Sequence, residues 1–406
     1  MATATGRSNL ILYLSIALAM VGFGIVMPVL PFYMEALGGS GSHLGLLVAT
    51  YGLMQLLCAP LWGGLSDTYG RKPFLLLGMA GLATGMLLLG LATELWMLYV
   101  AQLASGALSS AIYPSALAYV GDVHPTARRS AAIGRIGGAA GLGVIMGPGI
   151  GGVLAAGSLS RPFFFAAGFA LCTFLALLFF LPESLPPHRR AASQPAKNLP
   201  NLGRIRKALG TAMALGLVAA FAAIFGKSGF TSIFGLYALE RFGHGPAWVG
   251  AVLMAMSLTY ALAQGVLVGP VTERLGEETL IRILFPAIGL AFPLMLLASG
   301  TPSIVITTSL FILLMALLKP TALSFVSQRA GENQGAAMGL AESFMGMGRI
   351  LGPLGAGIAF DADIRFPFLG GAVIFGGLLF LSFHWRSSAG EAQETAGPLG
   401  EPCSSG

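Results

Sequence analysis

An all-α membrane protein with twelve transmembrane helices, folded as two pseudo-symmetric six-helix bundles, is the fold class this sequence predicts. Three observations carry that expectation. Hydrophobic residues make up 55% of the chain and charged residues only 9%, whereas a soluble domain carries about 25% charged residues. Apolar runs of roughly 20 residues, the length needed to cross about 30 Å of hydrocarbon with every backbone group bonded internally, recur along the whole chain. The chain also repeats itself: advancing by 206 residues carries Asp67 onto Glu273, Gly70 onto Gly276 and Pro114 onto Pro320.

The runs of the first half cover residues 9 to 36, 43 to 66, 73 to 93, 96 to 121, 129 to 156 and 162 to 182. The first is too long for a cleavable signal, lacks a small-residue cleavage pattern and is followed by further spans, so it is expected to remain as helix one. Span two carries Gln55 and Cys58 and runs into a charged hinge, Gly63 to Pro73, which contains Asp67, Gly70, Arg71 and Lys72. Span four holds Gln102 and Tyr113, and span five the glycine series Gly143, Gly147, Pro148, Gly149, Gly151 and Gly152. A glycine face lets another helix approach closely, and a proline within a span removes one backbone bond and bends it.

The second half spans 208 to 240, 247 to 272, 279 to 300, 303 to 328, 335 to 360 and 364 to 385. Lys227 lies in span seven, Tyr260 and Gln264 in span eight, Lys319 in span ten, and Glu342 with Arg349 in span eleven. Gly352, Pro353, Gly355 and Gly357 give span eleven a bend like that of span five. Residues 1–182 and 208–386 therefore form the two bundles, joined by a polar linker over 183–207, and 387–406 is read as a disordered tail with too little apolar surface to fold.

Topology follows from the cations. The two termini and the loops after even-numbered spans hold 16 of the 22 Lys and Arg residues, while the opposite face holds only Arg161, Arg241 and Arg365. Both termini and the linker are thus expected in the cytoplasm. This bias accounts for the net charge of +6 without a nucleic-acid partner, because the basic residues are dispersed over membrane loops. Cys58, Cys172 and Cys403 have no spacing suited to a metal or a disulfide framework, no phosphate-binding Gly-x-x-x-x-Gly-Lys-Ser/Thr loop is present, and no cofactor or metal is expected.

Ionisable groups within spans are costly in hydrocarbon and mark cavities or substrate paths. Lys227, Lys319, Glu342 and Arg349 all lie in the second half, and Glu342 and Arg349, seven apart, share a helix face. Three cations against one carboxylate make a positive cavity suited to an anion, with Glu342 as the candidate proton site; the alternative is that Glu342 neutralises one cation while the others snorkel or bond to carbonyls. Gln55, Gln102 and Tyr113 are the uncharged candidates for substrate contact, each also able to serve as helix-to-helix glue. At the hinge, Gly70 permits a tight turn, and Asp67 and Arg71 are placed for charge-assisted contacts with Asp122, Arg128 or Arg129 at the end of span four.

The sequence Gly63-x-Leu65-Ser66-Asp67-x-Tyr69-Gly70-Arg71-Lys72 resembles the signature loop of the major facilitator superfamily, and the resemblance extends over all twelve spans. It implies a conformational latch at Gly63, Asp67, Gly70, Arg71 and Lys72 with Asp122, Arg128 and Arg129. Thr68 stands where the family usually has Arg, and Glu277 and Glu278 replace the basic pair in the second half, implying a weaker or differently paired latch there. Span five, through Gly143, Gly147, Pro148, Gly151 and Gly152, resembles the motif that marks antiporters and exporters, and Gly22 to Pro31 in span one resembles the drug and proton antiporter branch. Ala19 occupies the position of an Asp in tetracycline exporters, and Gln102 that of an Arg common in the branch.

The resemblance implies a bacterial inner-membrane secondary transporter, not an enzyme. It would be monomeric, surrounded by lipid, and export a drug-like amphipath or organic anion in exchange for protons. An importer or symporter of an organic anion would keep the hinge signature with less reason for the exporter motif in span five. A membrane enzyme or receptor would need paired carboxylates at one depth or a large binding loop, and neither is present.

Overall fold

The computed structural model describes residues 2–185 and 212–394. The expected linker beyond Leu185, the first residues of the expected span seven, and the last twelve residues of the tail lie outside that range. The described residues form twelve long helical segments and no strand. In chain order they are α1 (Ala2–Ala36), α2 (Gly41–Tyr69), α3 (Arg71–Gly90), α4 (Leu95–Ser109 and Ile112–Val123), α5 (Thr126–Ala155) and α6 (Arg161–Phe180). The second half holds α7 (Ala214–Phe242), α8 (Pro246–Leu262, a π-helical turn Ala263–Leu267, and Val268–Leu275), α9 (Glu277–Leu296), α10 (Thr301–Arg329), α11 (Gln334–Ala362) and α12 (Phe366–Glu394). Eleven are long and apolar enough to cross a membrane on hydropathy alone. The exception is α11, where Arg349 and a run of glycines dilute the apolar character.

Two boundaries differ from the sequence reading. The expected charged hinge is almost wholly helical: α2 runs on to Tyr69 and α3 starts at Arg71, leaving Gly70 alone at φ +112° to turn the chain. Its counterpart Gly276, at φ +74°, alone separates α8 from α9. Glycine reaches this region without the steric penalty of a Cβ. At the other end of the chain α12 continues to Glu394, so residues 387–394 are helical where disorder was expected. Extending a formed helix needs no new nucleus, and Ala389, Glu391, Ala392 and Gln393 are good helix formers.

The halves are built alike. In the first, α1 packs on α5 and α6, and in the second α7 packs on α11. Tyr33 on α1 donates to the carbonyl of Ala92 just past α3 (2.5 Å), and Tyr237 on α7 donates to the carbonyl of Met295 on α9 (3.1 Å). The second half has an aromatic heart in which Phe230 meets Phe311 at 5.0 Å and Phe292 meets Phe311 at 4.7 Å. The halves join mainly through α2 on α11 and α5 on α8.

That junction lies at one end of the bundle. Gly41, Gly45 and Gly52 of α2 approach Asp361, Pro353 and Arg349 of α11, and Gly149 and Gly152 of α5 approach Met254 and Pro246 of α8. Gly41, Gly152, Pro246 and Asp361 lie at the α1–α2, α5–α6, α7–α8 and α11–α12 connections, and the contacts run inward from there to Gly52 and Arg349 at mid-helix. Toward the other end, a Cβ at Gly134, Gly137, Gly138 or Gly141 of α5, or at Gly335 or Gly339 of α11, would meet nothing within 4 Å. The molecule is therefore sealed at its Ser40 end and parted at its Asp67 end.

Candidate functional site

The hinge of the first half is a charged knot around Arg71, which is only 7% exposed. Its guanidinium pairs with Asp67 across the Gly70 turn, donates through Nε to Asp122 at the end of α4 (3.0 Å), and reaches Ser66 Oγ (3.0 Å). Gly70 is needed for space as well as for φ, since a Cβ there would run into the Glu183 carboxylate. That carboxylate accepts from the backbone N–H groups of Arg71 (2.9 Å) and Lys72 (3.2 Å), satisfying two of the unpaired donors that open α3. The Lys72 ammonium donates to the carbonyl of Leu178 on α6 (2.8 Å).

Of the other latch residues, Gly63 faces Pro114 across a normal van der Waals gap. Arg129 donates to the carbonyl of Gly121 (2.6 Å), and Arg128 is exposed and takes no part in the knot. The structure thus brings Asp67, Arg71 and Asp122 together and leaves Arg128 outside. Glu183, absent from the sequence reading, is the added member. Its only advance signal was a carboxylate placed directly after the last apolar run of the half.

The glycine motif of α5 has two faces. Gly143, Gly147 and Gly151, spaced at four, pack on α1, where a Cβ at Gly147 would lie 2.7 Å from the Cα of Gly24. Pro148, Gly149 and Gly152 face α8 of the other half, and a Cβ at Gly152 would lie 2.6 Å from the carbonyl of Pro246. α11 repeats the scheme, with Gly348 and Gly352 on α7 and Pro353 and Gly357 on α2. One face builds each half and the other closes the seal.

Behind the seal lies a polar cluster at the interface between the halves. Arg349 donates through Nη1 to Gln55 Oε1 of α2 (2.6 Å), a bond between the halves, and sits 3.6 Å from Glu342 through Nη2. Lys319 lies within electrostatic reach of Lys227, Glu342 and Arg349. The Lys227 ammonium rests over the Tyr260 ring at 3.6 Å, a cation–π contact between α7 and α8. Tyr260 lies three residues before the π-helical turn of α8, which includes an exposed Gln264; such turns recur at functional sites.

Gln55 and Tyr113 line one small hollow with Ala19, Phe23 and Tyr51, and Tyr51 meets Ser109 Oγ at 3.0 Å. Tyr113 is also within electrostatic reach of Glu342. Gln102 is buried in α4, one turn before Ser105 on the same helix. The cluster thus gathers Lys227, Lys319, Glu342, Arg349, Gln55 and Tyr113, and leaves Gln102 within the first half. No group of three or more His, Cys, Asp or Glu side chains able to hold a metal occurs among the described residues.

Comparison with known proteins agrees with this architecture. The family model described as Major Facilitator Superfamily matches residues 12–353 and 217–402. The chain is similar to Multidrug resistance protein 2 of Bacillus subtilis, 31% identical over 386 residues, covering 94% of this chain and 96% of that relative. It is 29% identical over 361 residues to Quinolone resistance protein NorA of Staphylococcus aureus, covering 88% and 91% of the two chains. A crystal structure of the nucleoside transporter NupG superposes with a TM-score of 0.74 at 15% identity, covering 94% of this chain and 99% of that one.

Proposed function

The chain belongs to the major facilitator superfamily, and on that premise we propose that it exports an amphipathic small molecule in exchange for protons by alternating access, working as a monomer. The observation that carries this reading is the polar cluster set behind a seal made at one end only. A site reachable from one side and closed from the other by helix packing is what an alternating-access cycle requires of each end state. The relatives named for multidrug and quinolone resistance support export and a drug-like substrate.

The distribution of cations supports placing the Asp67 end in the cytoplasm of a bacterial inner membrane. On that orientation the structure is inward-open, ready to load substrate from the cytoplasm or the inner leaflet. Glu342 is the carboxylate of the cluster and the candidate proton carrier, 3.6 Å from Arg349.

The surplus positive charge of Lys227, Lys319 and Arg349 favours a substrate that brings a negative group, which makes an organic anion the second substrate reading. Proteoliposomes carrying an imposed pH gradient test both readings with a panel of cationic, neutral and anionic amphipaths. Proton-driven accumulation of at least one class is expected. Absence of proton-driven movement for every class sinks the exporter reading, and uptake running with the proton rather than against it replaces it with a symporter.

A further inference from the structure

We propose that Asp361, near the end of α11, is the positioning residue that latches the seal at the Ser40 end. The inference rests on the alternating-access reading, because a latch matters only if the seal opens. The Asp361 carboxylate accepts three hydrogen bonds, all from the start of α2 in the other half: from Gly41 N (2.6 Å), Ser42 N (2.9 Å) and Ser40 Oγ (2.8 Å). The amides of Gly41 and Ser42 have no partner within their own helix, being among the first donors of α2. A carboxylate at that point also meets the positive end of the helix dipole. The cap of one half is therefore supplied by the other, and the contact exists only while the halves are together at this end.

The local packing is fitted to it. The Cβ of any other residue at 41 would lie 2.8 Å from Asp361 Oδ1 and 3.0 Å from the carbonyl of Gly357, so glycine is what lets the carboxylate reach the amide. Apolar and glycine contacts along α2 and α11 bring the helices close without regard to charge. Asp361 adds a directional bond that fixes their register. When the seal opens, water must replace all three donors at once, so the latch favours the closed seal without sealing it permanently.

Charge repulsion at this end acts against the latch. Glu240 of α7 lies within electrostatic reach of both Asp361 and Glu35 of α1. The Glu240–Asp361 repulsion is internal to the second half, and neutralising residue 361 leaves the Glu240–Glu35 repulsion across the halves in place. Opening of the seal on neutralisation therefore comes from loss of the helix cap.

Spin-label distances in the full-length protein in nanodiscs test the proposal. With the native cysteines replaced by Ser, one pair (Glu94→Cys with Ser299→Cys) reports the Ser40 end and a second (Ala127→Cys with Asn333→Cys) the Asp67 end. Asp361→Asn is expected to raise the ratio of open to closed Ser40 end about tenfold, the size of one lost charge-assisted contact. The Asp67-end pair should shorten in step. Ser40→Ala, which removes one of the three donors, should shift both distances the same way by a smaller factor. A parent that exchanges between two distances while Asp361→Asn shows the same populations overturns the latch. A parent fixed at one distance at each end, whatever amphipath is added, overturns alternating access and the latch together.

Discussion

The two single-glycine hinges, Gly70 and Gly276, occupy equivalent places in the halves and are wired with opposite charge. α9 opens with Glu277 and Glu278, the sign that the positive start of a helix prefers. Glu277 accepts from Ser324 Oγ (2.9 Å) and Gln328 Nε2 (2.5 Å) of α10, while Glu278 pairs with Arg282 (2.8 Å) and Arg329 (3.4 Å). α3 opens instead with Arg71 and Lys72, the disfavoured sign, and takes its negative cap from Glu183, more than 100 residues away. The first hinge is consequently tied to α2, α4 and the segment after α6, whereas the second is tied within its own helix and to α10. A repeat can keep its backbone turn while reversing its charges, and the reversal changes how many other elements each hinge grips.

The largest effect separating the two hinges is expected from Arg71→Ala. It leaves Asp122, whose side chain is 17% exposed, without its cation beside a largely buried site, and should lower stability by about 3 kcal/mol. Thermal melting of the detergent-purified protein reads this, with Glu278→Gln as the partner measurement. Similar melting temperatures for the two variants would break the comparison.

Next comes Glu183→Gln, which keeps the shape but removes the charge capping α3. A loss of about 1.5 kcal/mol is expected, along with faster hydrogen exchange at the amides of Arg71 and Lys72. Unchanged exchange at those two amides would show that the borrowed cap contributes nothing.

The halves differ again in the cluster behind the seal, where the first half offers Gln55 and Tyr113 and the second supplies every charge. Lys227→Gln or Lys319→Gln should weaken an anionic substrate about tenfold and a neutral analogue less than twofold. Calorimetric titration of the folded variants measures both, and equal losses for the two compounds would return the substrate reading to neutral or cationic amphipaths.

The smallest effects belong to exposed groups. Glu278, with a side chain 39% exposed, should cost below about 1 kcal/mol on neutralisation because water already screens it. Arg128→Ala should change melting and transport by no more than about 0.5 kcal/mol in equivalent terms. A large loss of transport from Arg128→Ala, with the fold intact, would give that residue a partner in another state of the cycle.

How much of this was legible in the sequence differs from residue to residue. The contact of Arg71 with Asp122 was among the expected pairings at the end of span four, whereas the pairing of Asp67 with Arg71 across the Gly70 turn was not. The turn at Gly70 and its echo at Gly276 could be read because few other residues take positive φ cheaply. The positive character of the cluster followed from counting charges within spans. The roles of Glu183 and Asp361 could not be read, since each caps a helix from more than 100 residues away, and neither residue differs in type from other loop carboxylates.

By itself the sequence determined the class, the span count, the two-fold repeat and the positions of the turns, because hydrocarbon thickness and helical spacing act on short stretches of chain. Only the tertiary structure decided that the two faces of the α5 glycine motif serve different halves, that Lys227 rests on Tyr260, and which end of the bundle is sealed. Those facts depend on how closely two helices cross and at what depth. Such crossings are set by glycine-to-backbone contacts between distant segments, which no local spacing rule encodes.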